Sequence, residues 1–210
     1  MKPTRPIRHA AALLGCLIVA AGCSVDLPGN SPPSRLFVLS PKSTFDPDLP
    51  RVPWQLTVEV PVAEAGLNTA RVALRRSPLS LEYFERANWI DTAPRMIQTL
   101  LVESFENSRR IVAVGRQSVS LRADYSLITE LREFQAEYGD GSAPQAHVRL
   151  TAKLVKMPQR NIVATMSAEE RIPAAGTSLD EIMPAFDQAL GKALKKIVEW
   201  TLRTAPPPEK

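Results

Sequence analysis

Cysteine is nearly absent from this chain. Its two residues, Cys16 and Cys23, both lie in one apolar stretch near the start, "LLGCLIVAAGCSVDLPG". Such a pair offers no zinc-type spacing. Histidine is as scarce, with only His9 and His147. The sequence also lacks a G-x-S-x-G elbow, an H-E-x-x-H pair and a P-loop. Serine-hydrolase, zinc-protease and nucleotide-phosphate chemistry therefore find none of the residue patterns they require. A long hydrophobic run is missing too: the uncharged segment from Ala10 to Gly22 has 13 residues, whereas a spanning helix needs about 20.

What stands before that short run is "MKPTRPIRH", with Lys2, Arg5 and Arg8 and no acid. A basic leader, a brief apolar stretch and small residues at its end read as a secretory signal peptide. The competing reading is a buried N-terminal helix, but "AAGC" runs straight into the loop-like "SVDLPGNSPPS". Small residues alone would suggest ordinary signal cleavage. Here Ala20-Ala21-Gly22 are followed at once by Cys23, which resembles the lipobox of bacterial lipoproteins, with Ala20 where Leu is most frequent. A rival box, "LLGC" ending at Cys16, leaves very little apolar sequence ahead of it. The resemblance implies a diacylglyceryl group on the Cys23 sulfur, cleavage before Cys23, and acylation of the freed amine. Two or three acyl chains anchor durably, at ~0.8 kcal/mol per buried methylene.

The expected division is residues 1–22 as signal peptide, 23–34 as lipidated N-terminus and Pro/Gly/Ser-rich tether, 35–204 as one folded domain, and 205–210 ("APPPEK") as a polar tail. Losing Lys2, Arg5 and Arg8 takes the formal net charge from +4 to +1, which removes the support for nucleic-acid binding. With Cys16 discarded and Cys23 alkylated, no thiol remains for a disulfide, a metal or a nucleophile.

The periodicities within 35–204 predict an α+β fold: an antiparallel or mixed sheet with two main helices packed on one face. "WQLTVEV" puts Trp54, Leu56, Val58 and Val60 on one side of a strand. "ARVALRRSPLSLEYFER" reads as a hairpin turning near Ser77-Pro78. A helix is expected from about Thr92, capped by Asp91 or Thr92, with Ile97, Leu100, Leu101, Ser104 and Phe105 on its apolar face and Gln98 off it. "RRIVAV" reads as a short buried strand that ends in a turn at Gly115. Residues 122–173 predict a three-stranded meander with a bulge before Phe134. A second helix carries the stripe Ile182, Phe186, Leu190, Ala193, Leu194 and Ile197. Ser178 and Glu181 make a capping box, although Pro184 suggests that regular helix starts only there.

Candidate chemistry is thin. His147 falls on the polar face of a strand, where a solvated histidine is the expected state. Glu130, Glu133 and Glu137 form the best acidic cluster, but with Arg132 interleaved they read as a solvated face rather than a carboxylate pair for glycosidase-type work. Lys192, Lys195 and Lys196 likewise read as a solvated helix face. The residues thus argue against an enzyme. In "LEYFERANWID", Tyr83, Phe84 and Trp89 cannot all point one way along a strand, which makes them the candidates for a partner contact.

This succession resembles the ABC-type transport auxiliary lipoprotein family, which includes paraquat-inducible protein C. The resemblance is carried by the lipobox at Cys23, "RLFVLSP", the block "RVALRRSPLSLEYFERANWIDTAPRMIQTLLVESFENSRRIVAV", "ADYSLITELREFQ" and a terminal helix ending at Trp200. It implies a non-catalytic periplasmic domain anchored in the inner leaflet of the outer membrane, Ser24 after Cys23 fitting the outer-membrane sorting pattern. It implies as partners an MCE-domain protein with its ABC permease and ATPase, moving lipid across the envelope, without nucleic acid; self-association into a homo-oligomer stays open. A structural or assembly lipoprotein serving outer-membrane β-barrels or lipopolysaccharide export is the alternative. No cofactor beyond the covalent lipid on Cys23 is implied.

Overall fold

The structure is a computed structural model that describes residues 33–116, 122–139, 141 and 143–206. The signal segment, Cys23 and most of the tether lie outside the described residues, as do the last four residues of the tail.

Strand β7 (Tyr125–Glu137) organises the sheet. Along one edge it pairs antiparallel with β8 (Gln145–Lys156), from Tyr125 opposite Lys156 to Glu137 opposite Gln145. Beyond that comes β9 (Asn161–Pro173), so the predicted meander is present. Its register shifts between Leu131 and Glu133, where the bulge was expected. Three strands share the other edge of β7 end to end, all parallel to it: β2 (Val52–Val58) at Tyr125–Leu127, β3 (Val62–Ala63) at Glu130–Leu131, and β4 (Arg71–Ser77) at Gln135–Glu137. The sheet then continues from β4 to β5 (Ser80–Trp89) and β1 (Arg35–Phe37), and from β2 to β6 (Ile111–Arg116). The result is a mixed nine-stranded sheet in a single α+β domain.

One face of the sheet is apolar because each long strand alternates with period two. Leu127, Leu131, Phe134, Val148, Leu150, Leu154 and Ala168 are all buried there. Against β8 and β9 lies α2 (Leu179–Thr204), and against β2 and β6 lies α1 (Ala93–Ser108). Small residues on both sides, Ala146 and Ala152 on the sheet and Ala189 and Ala193 on α2, leave room for close approach of helix to strand. The aromatic centre is a triad: Trp89, Phe134 and Phe186 meet with ring centroids 5.1 to 5.4 Å apart.

The segment between β1 and β2 is a strap laid over both helices. Asp187 of α2 accepts the Ser40 N–H at 2.6 Å, Ser104 of α1 accepts the Lys42 N–H at 2.9 Å, and Glu199 of α2 accepts the Asp46 N–H at 2.8 Å. Arg203 closes the far end on Asp46 at 2.5 Å. Its own Leu39 and Leu49 are buried.

Several local expectations change. β2 ends at Val58, so Val60 leaves the apolar row and is exposed. Gln98 is buried, its Nε2 donating to the Val58 carbonyl at 3.0 Å, because a backbone acceptor at a strand end needs a partner. β6 is an open edge with Val112 69 % exposed, and Gly115 pairs with Thr57 inside the strand instead of turning it. Thr92 is the N-cap of α1 without a side-chain cap bond; Asp91 Oδ1 instead accepts the Thr92 N–H at 2.6 Å. α2 already starts at Leu179, and Pro184 sits inside it. Glu181 curls back to accept the Ser178 N–H at 3.1 Å and the Ser178 hydroxyl at 2.6 Å. A Cβ at position 176 would strike the Glu181 carboxylate, which would have to shift from its place at Ser178.

The aromatic triad yields a stability prediction. Phe186→Ala removes the ring that joins α2 to Trp89 and Phe134, and it should destabilise the domain by about 3–5 kcal/mol. The midpoint of urea denaturation followed by circular dichroism measures this.

Candidate functional site

The face of the sheet opposite the helices carries its only dense group of ionisable side chains among the described residues. Register builds it. Gln135, His147 and Arg171 stand side by side across β7, β8 and β9, and Glu133, Arg149 and Glu169 form the next row. β4 adds Arg75 beside Glu137.

Each carboxylate of the face is met by cations. Arg149 Nη2 lies 2.8 Å from Glu133 Oε1 and Arg75 Nη2 lies 3.1 Å from Glu133 Oε2. Arg171 reaches Glu169 at 2.7 Å and Glu137 at 3.7 Å. Glu130 takes Lys153 Nζ at 2.7 Å and also pairs with Arg132. Gln135 Nε2 donates to Glu133 at 2.8 Å. These acids are therefore bound into a half-buried network, not freely solvated as their spacing suggested.

His147 departs furthest from expectation. It is 2 % exposed, with Nδ1 3.1 Å from Glu137 Oε2 and Nε2 2.9 Å from Glu169 Oε1. The alternation put it on the correct face. Its exposure was misjudged because β8 is an inner strand, and the long side chains of β7 and β9 close over it. The register shows the enclosure: Gln135 and Arg171 stand opposite His147, with Glu137 of β7 and Glu169 of β9 diagonal to it.

The electrostatics point away from proton-transfer chemistry. The Lys153 hydrogen bond, with Arg132 beside it, holds Glu130 below the usual glutamate range. Burial alone would raise Glu133, but Gln135, Arg75, His147 and Arg149 outweigh it and the net shift is downward. The hydrogen bond from His147, then Arg171, lowers Glu169. A general acid needs the opposite, a carboxyl kept protonated near neutral pH. Both His147 nitrogens are already engaged. Among the described residues no group of three or more His, Cys, Asp or Glu is placed to hold a metal ion.

The aromatic candidates separate. Trp89 is buried in the core triad and has no surface to offer a partner. Tyr83 is half-buried on the outer face, its hydroxyl donating to the Gly66 carbonyl at 3.0 Å and its ring 3.7 Å beneath the Arg71 guanidinium. Phe84 is half-buried against the core at an irregular part of β5, where Arg86 takes φ 52°. A feature that the sequence reading passed over is the turn of the β4–β5 hairpin: Leu79 there is 99 % exposed. Cys23 lies outside the described residues. Among those described, no helix is long and apolar enough to cross a membrane.

Residues 37–198 match the family model described as ABC-type transport auxiliary lipoprotein component. Protein XCC0632 of Xanthomonas campestris is 32 % identical, with a TM-score of 0.77 over 81 % of this chain and 96 % of that one. Hypothetical protein CT253 of Chlamydia trachomatis shares the fold at 7 % identity, with a TM-score of 0.51 over 73 % of this chain and 98 % of that one. Protein bll6063 of Bradyrhizobium diazoefficiens is 27 % identical over 191 residues, which cover 88 % of this chain. The chain spans about half, 49 %, of that relative's length.

The depressed glutamates make stability depend on acid. Their contribution is complete above the ordinary glutamate range, ~4.3, and is lost as pH falls through their lower folded values. Glu133→Gln takes from Arg149 its paired carboxylate and leaves Arg75 with Glu137 alone, at 3.8 Å, and should cost about 1–3 kcal/mol at neutral pH. The gap to the unsubstituted chain should narrow as pH drops below ~4.3, because acid neutralises Glu133 in the reference chain as well. Urea midpoints across that range check both the size and the convergence.

Proposed function

The chain belongs to the ABC-type transport auxiliary lipoprotein component family, and from that premise we propose that it is a non-catalytic accessory of an MCE-type lipid transport system. In this reading Cys23 carries the lipid, the anchor sits in the inner leaflet of the outer membrane, and the domain docks the MCE-domain protein that works with an ABC permease and ATPase.

The observation that carries the non-catalytic part is the outer sheet face. A catalytic site needs a reactive group left free to meet substrate. Here the acids are paired and the one described histidine is enclosed between two of them. What remains available on this face suits contact. Tyr83 on β5 is half-buried there with Arg71 over its ring, and Phe84 beside it in the strand is half-buried on the core side. Aromatic and arginine side chains in such a setting are the usual energetic centres of interfaces. An anchored partner meets its docking site at high effective concentration, so a small surface suffices.

Two measurements test this. A photo-crosslinking residue at position 84, used in intact cells and read by mass spectrometry, should capture an MCE-domain protein, and Tyr83→Ala should reduce the yield several-fold. Capture of a β-barrel assembly or lipopolysaccharide-export component instead would favour the assembly reading. Cys23→Ser should abolish incorporation of labelled fatty acid; continued labelling would remove Cys23 as the anchor.

A further inference from the structure

We propose that the tip of the β4–β5 hairpin is a second membrane contact, with Leu79 entering the bilayer that holds the Cys23 lipid; the proposal rests on Cys23 being the anchor. Leu79 is the most exposed large apolar side chain among the described residues, at 99 %, and follows Pro78 in a tight turn closed by Ser77 opposite Ser80. At that exposure none of the described residues packs against it. An isolated exposed leucine is common on proteins, so its surroundings and its place must carry the argument.

The surroundings suit a headgroup region. Tyr138 follows β7 at this end of the sheet, its N–H donating to the Arg75 carbonyl at 2.8 Å. The Arg76 guanidinium lies 4.7 Å above the Tyr138 ring and 3.7 Å from Glu82. An apolar tip behind which stand a tyrosine and exposed arginine matches the order of a membrane interface: hydrocarbon first, then amphipathic rings and phosphate-seeking cations. Arg75 and Arg132 line the shallow cleft beside Leu79, with Glu64 as its acid.

Its place is the second argument. β1 runs parallel to β5, with Arg35 opposite Ala87, so the residue before Arg35 lies on the side of β5 that leads to the tip. From Ala87 to Leu79 the strand spans at most ~27 Å at ~3.3 Å per residue. The chain from residue 23 to Arg35 reaches up to ~40 Å when extended. A bilayer holding residue 23 is therefore within reach of the tip. Val112, by contrast, is exposed on β6 opposite the start of β2, at the other end of the sheet.

The test uses the full lipidated chain carrying Leu79→Trp, reconstituted in vesicles of phosphatidylethanolamine and phosphatidylglycerol with or without brominated acyl chains. The emission of the unsubstituted chain is subtracted, and Val112→Trp serves as the distal control. The added tryptophan at 79 should shift to the blue and be quenched by bromine at least several-fold more than the one at 112. A chain that sediments with the vesicles while position 79 stays unshifted and unquenched overturns the hairpin contact and leaves the anchor intact. Should the chain prove unacylated, the same vesicles are titrated into the Cys23→Ser chain bearing Leu79→Trp. A blue shift at high lipid then supports the tip, and none at any lipid concentration overturns it. Leu79→Ser in the Cys23→Ser background should lower the vesicle-bound fraction several-fold; equal binding counts against the proposal.

Discussion

The architecture depends on one strand being paired along both edges. β7 takes β8 over its whole length on one side and hosts β2, β3 and β4 in succession on the other. A strand used this way has no tolerance for slippage, because a shift of one residue turns every side chain to the opposite face. The bulge between Leu131 and Glu133 falls where β3 has ended and β4 has not begun. At that break the Phe134 N–H is met by Gln135 Oε1 at 2.8 Å. The interruption in the ladder is thus satisfied from within the same strand.

That constraint gives the charged face a physical role. Exposed ion pairs add little stability one at a time. Rows of them on β4, β7, β8 and β9 nevertheless penalise wrong registers heavily, since a slip would carry Glu133, Arg149 and Glu169 into the apolar layer, where unpaired charge is costly. Enclosed between Glu137 and Glu169, His147 belongs to the same device. The face looks like a site because it concentrates titratable groups, yet their mutual pairing spends the reactivity that a site would need. Lys196 and Glu170 extend the same logic to the helix side, at 2.5 Å between α2 and β9.

Features with a local period were legible in the sequence. Each strand of the meander, its bulge, the hairpin turn and the apolar stripe of α2 announce themselves over short stretches, through alternation or helical spacing. What escaped was decided by distant segments. Parallel pairing of β2, β3 and β4 on β7 leaves no local trace, nor does the strap whose amides are accepted by Asp187, Ser104 and Glu199. Gln98 read as polar surface because nothing near it in sequence shows that the Val58 carbonyl waits for a donor. His147 was assigned to the correct side of its strand, but its burial follows from which strands flank β8. Leu79 was overlooked for a different reason: an apolar residue in a turn breaks no pattern until its exposure is seen.

The strap and β1 also determine how an anchored domain would bear load. On the proposed function, force from the tether enters at Arg35, which pairs with Asp180 at the start of α2 while β1 bonds to β5. The chain next passes Ser40, Lys42 and Asp46, each held by a side chain of α1 or α2. A pull is therefore shared between the sheet edge and both helices before it reaches the core, and those bonds must fail in series for the N-terminus to peel away. Such a clasp suits a domain that stays folded between a membrane and a moving partner. It also explains why the strap has no regular structure. Its amides need acceptors on two different helices at irregular spacing, and neither a strand nor a helix would present them in that way.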